Sequence, residues 1–331
     1  MSSAAAPLFS VVVAVYNAEQ YLEETLRALQ AQTFADFEVL MVDDGSVDRS
    51  AEIARQFCQS DSRFQLWQTP NRGISPTRNL AVQRASGPWI AVCDADDTWE
   101  PGKLEAQHRF IVAWAGQNEE ELVALGTAGD HINAAGQPIR PLHPRLSPWP
   151  SGLQDESLLE DLHMINSSVV FRRDVFEAVG GYRAEYTPTE DTDLWVRLSE
   201  RGAVVNLQEP LTHYRIHGTN VSEQHYMVMV LNMYRIRANA ERRRLRLPEW
   251  TAQEFKAQLR LNSRQYRMTM TNLRHMMYYN KGKNRWSNGH PLSALGALLM
   301  SFVVAPRKTA ELFSHSRVLR SRALPWRKST R

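Results

Sequence analysis

Apolar residues in the first hundred positions follow two alternating rhythms. Ser10-Val11-Val12-Val13-Ala14-Val15 is continuous and β-branched rather than alternating, the pattern of a strand covered on both faces, and so of a parallel sheet. Leu22, Leu26 and Leu29 then fall on one helical face, with Asn17 as the expected cap and Gln20 three residues on. The cycle repeats. Phe37 to Val42 predicts a second strand ending in Asp43-Asp44-Gly45-Ser46, and Ala51, Ile53, Ala54 and Phe57 suit a second helix. Phe64 to Gln68 predicts a short third strand. Ser75-Pro76 reads as a cap with proline at the first helical position, opening a helix through Ala85, and Trp89 to Cys93 is a fourth strand. Strands and helices alternating at this spacing predict an α/β fold with a doubly wound, mainly parallel sheet, whose ligands bind beyond the carboxyl ends of the strands.

Candidate chemistry collects at those ends. Asp94-Ala95-Asp96-Asp97 places three carboxylates directly after the fourth strand, where they repel one another unless a cation sits among them. Hard oxygen ligands suit Mg²⁺ or Mn²⁺, which usually serve the phosphates of a bound substrate. Asp43 and Asp44 reach the same edge, as do the loop Asn71-Arg72-Gly73 and Arg78. A nucleoside diphosphate would satisfy the set, with a carboxylate accepting from base or ribose while the metal and Arg78 neutralise phosphate. The plainer readings are an Asx turn at Asp43-Asp44, with Gly45 supplying a positive φ, and a solvated helix face at Arg78.

The runs Ser10 to Asn17, Val42-Asp43-Asp44-Gly45-Ser46, Asn71-Arg72-Gly73-Ile74-Ser75 with Arg78-Asn79, and Asp94-Ala95-Asp96-Asp97 resemble the family 2 glycosyltransferases in order and spacing. Glu190-Asp191 with Asp193-Leu194-Trp195 resembles that family's acidic pair, and Tyr214-Arg215-Ile216-His217-Gly218 its closing segment. The resemblance covers roughly Pro7 to Ser222 and implies the type A glycosyltransferase fold, with a catalytic domain over residues 1–222 and a helical, basic region over 223–331. It implies that Ala14, Tyr16, Asn17, Asn71 and Gly73 line the nucleotide-sugar site, and that Asp44, with Asp43, contacts the base. Asp96 and Asp97 would meet ribose and metal, with Asp94 as a further contact. His217 would lie against the diphosphate or metal, unless it merely hydrogen-bonds at a strand end.

The chemistry asks for the same parts. Breaking a sugar–phosphate bond leaves negative charge on a diphosphate, which a metal and an arginine stabilise. An acceptor hydroxyl needs a carboxylate to take its proton, the role the resemblance gives Asp191, with Glu190 shaping its surroundings. One base opposite the leaving group implies inversion. These two acids would also complement the dipole of the helix they open. Processive members carry Gln-x-x-Arg-Trp and several membrane spans. Here Arg285-Trp286 has Gly282 where the Gln should stand, so addition of one sugar to a glycan or lipid-linked acceptor in cell-surface polysaccharide synthesis is expected. A nucleotidyltransferase on a similar sheet would carry a glycine-rich basic loop after the first strand, and Tyr16-Asn17-Ala18-Glu19 has none. A non-catalytic nucleotide- or sugar-binding module is the remaining alternative, and the intact Asp96, Asp97 and Asp191 argue against it.

Composition adds location. The chain of 331 residues, 43% hydrophobic and 23% charged, has the make-up of a globular enzyme. Cys58 and Cys93 sit in a predicted helix and strand, as reduced structural thiols of a cytosolic protein do. The first residues lack the basic start and apolar core of a signal peptide, so no export is expected. Residues 134–160 are rich in Pro and polar groups and should loop over the acceptor, with Trp149 there as a packing residue or a sugar platform. Past Ser222, Met227, Val230, Leu231 and Tyr234 recur at helical spacing. Leu292, Leu295, Leu298, Leu299, Phe302 and Val303 make an apolar helix face too short to span a bilayer, followed by a tail from Pro306 with eight bases and one acid. That pairing suits a peripheral helix on an anionic membrane surface, the alternative covers being the catalytic domain or a homodimer partner. No nucleic-acid motif accompanies it.

Overall fold

A computed structural model describes residues 6–142, 164–217, 225–261, 263–287 and 289–306. By its internal contacts the chain divides into two compact units, Met1–Ile216 with Asn232–Glu249, and His217–Leu231 with Trp250–Arg331. The segment Asn232–Glu249 therefore belongs with the sheet, although it follows the motif-bearing region.

Among the described residues, the first unit has nine strands: β1 (Phe9–Val15), β2 (Phe37–Asp43), β3 (Phe64–Gln68), β4 (Trp89–Val92), β5 (Thr98–Trp99), β6 (Leu122–Asn133), β7 (Pro138–Leu142), β8 (Val170–Arg172) and β9 (Ala203–Ile216). Their order is β3-β2-β1-β4-β8-β6-β9-β5, with β7 on β6. The β1, β2, β3 and β4 strands are parallel neighbours, and β6 and β9 pair in parallel, while β5, β7 and β8 run antiparallel to theirs. The predicted mixed, mainly parallel sheet is present.

Each expected helix also forms: α1 (Leu22–Gln30), α2 (Ser50–Ser60) and α3 (Ile74–Arg84), followed by α4 (Lys103–Gln117), α5 (Arg173–Ala178) and α6 (Glu190–Ser199). Successive residues of β1 serve opposite layers. Phe9, Val11, Val13 and Val15 join Leu22, Leu26, Leu29 and Phe57 in one core, while Val12 joins Ala81, Val82, Phe176, Leu194 and Trp195 in the other. Removing that apolar area from water is what holds helices on both faces, at roughly 25 cal/mol per Å².

Two expected caps are corrected. The α1 helix starts after Tyr21, and Asn17 instead adopts φ 48° and accepts the Val47 N–H at 3.0 Å, pinning the β1 loop to the β2 loop. The α3 helix is entered from Gly73 at φ 88°, so Ser75 and Pro76 lie inside its first turn.

Beyond the sheet lie α7 (Tyr226–Arg244), α8 (Ala252–Leu261), α9 (Ser263–Ser287) and α10 (Pro291–Val304). Among the described residues, no helix is long and apolar enough to cross a membrane. In the expected acceptor loop, residues 134–137 turn the chain into β7 over 138–142; residues 143–160, with Trp149, lie outside the described residues, as does the basic tail beyond Pro306.

Candidate active site

At the carboxyl end of β2, both oxygens of Asp43 are engaged, Oδ1 by the Ser46 N–H at 3.1 Å and Oδ2 by Gln68 Nε2 at 3.0 Å. Asp44 reaches across to the next loop and accepts the Arg72 and Gly73 N–H groups, one on each oxygen, at 2.8 Å. Gly45 makes this approach feasible. Its φ is 78°, and a Cβ there would stand 2.9 Å from the Asn71 nitrogen. The turn and the ligand readings of this motif thus share one geometry, in which Asp43 and Asp44 shape the loop carrying Asn71 and Gly73. Ala14 ends half-buried beside them, while Tyr16 and Asn17 are exposed.

The next strand end is organised by burial. Arg78, on α3, is 6% exposed and donates to Asp94 Oδ1 at 2.6 Å and to Glu190 Oε1 at 2.9 Å. Its guanidinium thus joins the Asp94 loop to the start of α6. Asn166 Nδ2 also donates to Asp94, at 2.9 and 3.1 Å. The Asp94 N–H donates to Ser167 Oγ at 3.0 Å, and that hydroxyl donates in turn to Asp97 Oδ2. Asp97 Oδ1 accepts the Arg215 N–H at 2.8 Å. Asp97 is 1% exposed, and burial with the charges of Asp96 and Asp94 pushes its carboxyl well above the usual carboxylate range.

Of the expected metal ligands, then, Asp97 has both oxygens engaged by the protein, and Asp96 is the half-exposed carboxylate next to it. His217 directly follows β9 and falls in the second unit. Among the described residues, no group of three or more His, Cys, Asp and Glu side chains could hold a metal ion by itself.

Glu190 and Asp191 open α6. Asp191 Oδ1 accepts the Thr192 N–H at 2.6 Å. Burial and the Glu190 charge, opposed by Arg78, push the Asp191 carboxyl up to about 6. Glu190 Oε2, the Tyr182 hydroxyl and Asn166 Oδ1 are buried with no hydrogen-bond partner in the structure. All three residues contact or feel the charge of Arg78 or Asp94, so unsatisfied polar atoms collect beside Asp191. Two residues on, Asp193 does different work: it takes Arg197 Nη2 at 2.6 Å and Arg183 Nε at 2.9 Å, tying α6 to the chain before it.

Several supporting residues escape a reading of motifs. Arg215, 1% exposed, gives its backbone N–H to Asp97, its Nε to the Asp96 carbonyl at 2.7 Å and its Nη2 to Glu24 Oε2 at 2.7 Å. It fixes the Asp96-Asp97 segment at two points and ties it to α1. The turn Asn166–Ser168 is braced from below by Trp99 Nε1 on the Ser167 carbonyl at 2.6 Å and by Gln107 Nε2 on the Ser168 carbonyl at 2.9 Å. Lys103 is fully buried, 3.7 Å from the Trp99 ring centroid and 2.8 Å from Gln107 Oε1, and burial lowers its ammonium pKa to about 7. An Asn-Ser-Ser run between apolar neighbours was the available signal for the turn; Arg215 was inside a recognised segment with no role attached.

Known proteins resemble this chain in sequence or in fold. TuaG of Bacillus subtilis, a putative teichuronic acid biosynthesis glycosyltransferase, is 28% identical over 220 residues, covering 65% of this chain and 82% of TuaG. Three other curated glycosyltransferases are 26–30% identical, and the chain spans 36–64% of their length. In fold, the chain is similar to Staphylococcus aureus TarS 1-349 in complex with UDP-GlcNAc, with TM-score 0.55 and 18% identity over 92% of this chain and 91% of that one. It is also similar to the mannosyltransferase PcManGT of Pyrobaculum calidifontis in complex with GDP-Man and Mn²⁺, with TM-score 0.52 and 18% identity over 95% of this chain and 80% of that one. The family model described as glycosyl transferase family 2 matches residues 10–180, just over half of the chain. With the motif order and the sheet, that match makes this chain a member of glycosyl transferase family 2.

Proposed function

We propose that the protein is an inverting glycosyltransferase that moves one sugar from a UDP-sugar to a hydroxyl of a glycan or lipid-linked acceptor in cell-surface polysaccharide synthesis. The observation that carries the reading is Asp191: a carboxylate raised to about 6, with one oxygen fixed by Thr192, beside a buried Arg78 that ties its neighbour Glu190 to the Asp94 loop. A base with a pKa just below neutral is ionised at working pH yet still basic enough to accept a proton in the transition state. The remaining oxygen, Oδ2, takes the acceptor hydroxyl proton. The acceptor oxygen bonds to the anomeric carbon as the bond to the diphosphate breaks, and the electron pair leaves with the nucleoside diphosphate. Attack from the side opposite the leaving group inverts the configuration.

Tyr16, Asn17 and the Asn71–Gly73 loop shaped by Asp44 frame the nucleotide, and Asp43 orders the turn beneath it. Asp96 and its neighbours fit Mn²⁺ or Mg²⁺ in the manner of ions held by one or two carboxylates and substrate phosphates, because Asp97 is already satisfied by Ser167 and Arg215. Asp96 would hold the ion, which would neutralise charge on the departing diphosphate. TuaG supports the polysaccharide acceptor, the TarS complex supports UDP, and the PcManGT complex supports Mn²⁺.

The test is a screen of UDP- and GDP-sugars for nucleoside diphosphate release, with Mn²⁺ and with EDTA, followed by NMR of the anomeric configuration of the product. A UDP-sugar turned over only with metal and yielding the inverted linkage is expected. Retention of configuration, or no cleavage of any nucleotide sugar, overturns the reading.

A further inference from the structure

The second unit carries a feature that sugar transfer does not use. Within it, α9 and α10 pack against each other along a narrow seam: Ala294, Ala297 and Ser301 are buried, Ser301 Oγ lies 2.9 Å from His275 Nδ1, and a Cβ on Gly282 would stand 2.7 Å from Leu298 Cγ. The opposite side of α10 is apolar and open to solvent. Leu292, Leu295, Leu299 and Phe302 recur at spacings of three and four, so they line one face, and they are 87%, 54%, 58% and 50% exposed. Val303, at 73%, extends it. A contiguous exposed apolar row of this kind marks an interaction surface.

Charge selects the partner. The α9 helix holds six bases and no acid, α10 holds no charged residue, and from Ser263 to the last residue fourteen bases face one acid. That segment is +13 in a chain whose net charge is +3, so the remainder is −10. Pairing two copies through this face would bring two +13 segments together, which like-charge repulsion opposes. A nucleic acid would use the bases and leave the leucine row in water. An anionic bilayer uses both, because an in-plane helix sinks its apolar row to the acyl boundary while lysines and arginines meet headgroup phosphates. The 14 residues of α10 are too few to span, since a crossing helix needs roughly 20.

We propose that the α9–α10 hairpin docks this protein in-plane on an anionic phospholipid bilayer, through the Leu292–Leu295–Leu299–Phe302 row and the bases that precede and follow it in sequence. Docking is independent of the transfer chemistry and can be measured without donor or acceptor.

The full chain is sedimented with phosphatidylcholine vesicles, with and without phosphatidylglycerol, across a salt series. Binding to the anionic vesicles should exceed that to neutral ones by at least about tenfold at low salt and fall as salt screens the bases. L295E/L299E/F302E, whose sites are exposed, should lose anionic binding by about tenfold or more, since each carboxylate must now enter the apolar boundary. K281Q/K283Q/R285Q keeps the row and should lose part of the anionic preference. Absence of sedimentation with anionic vesicles at low salt overturns the proposal, as does undiminished binding by the glutamate variant while circular dichroism matches the parent. A dimer in analytical ultracentrifugation that the glutamate substitutions dissociate also overturns it, by assigning the row to a second copy.

Discussion

Two carboxylates in the first unit sit in similarly acidic, water-poor surroundings, and both have a raised pKa. At the end of β4, Asp97 meets a hydroxyl on one oxygen and a backbone N–H on the other. At the start of α6, Asp191 meets Thr192 through Oδ1 alone. They differ in partners as well as in exposure, Asp97 being fully buried and Asp191 half-buried. A carboxylate satisfied on both sides holds a loop in place, whereas one with an oxygen still available, next to unsatisfied polar atoms, is equipped to move a proton. Acidic residues one motif apart can therefore have opposite duties, and counting acids does not separate them.

Arg78 joins these two regions, and removing it tests whether they are one site. Arg78→Ala leaves Glu190 and Asp94 without their shared cation, and breaking a buried pair in this way costs about 3–5 kcal/mol. Denaturant unfolding should show a fall of that size, and a loss under about 1 kcal/mol would mean the regions are held together by other contacts. Asp191→Asn sharpens the contrast with Asp97. It removes the base while keeping shape, so turnover should drop about 10²- to 10⁴-fold with donor affinity retained. Near-normal turnover in that variant would return Asp191 to the role of helix-terminal acid. The smallest effect is in pH dependence. Because the base must be ionised, kcat should level off above about pH 7, be half-maximal near pH 6 and fall about tenfold per unit below about pH 5, following the Asp191 value of about 6. A profile unchanged down to pH 4.5 would show that another group accepts the proton.

What was legible beforehand divides by sequence distance. The runs Val11 to Val15 and Phe37 to Val42 define their strands through β-branched continuity, and Leu22, Leu26 and Leu29 define α1 through period, because each signal is contained within a few residues. Asn17 and Ser75 misled for the complementary reason: their local cap signals yielded to a hydrogen bond from Val47 and to the Gly73 turn. Arg78 was legible as a site residue, but its two carboxylate partners were not, since Glu190 lies 112 residues away. The Ser167 hydroxyl beneath Asp97, 70 residues on, was equally out of reach. Sheet order past β4 was not readable either, as β6 and β9 carry fewer β-branched runs and pair across 70 residues or more.

Arg215 gives the site a history in time. Its backbone closes on Asp97 across 118 residues, and its guanidinium reaches Glu24 across 191. Translation at roughly 5–20 residues per second separates the emergence of Asp97 from that of Arg215 by on the order of 10 s. Through that interval the nascent chain displays three clustered acids without the Arg215 latch, while the earlier strands can already pair. The proposed nucleotide binding should therefore arise late, when β9 is made, and a ribosome-stalled fragment ending before Ala203 should carry the first four strands yet bind no donor.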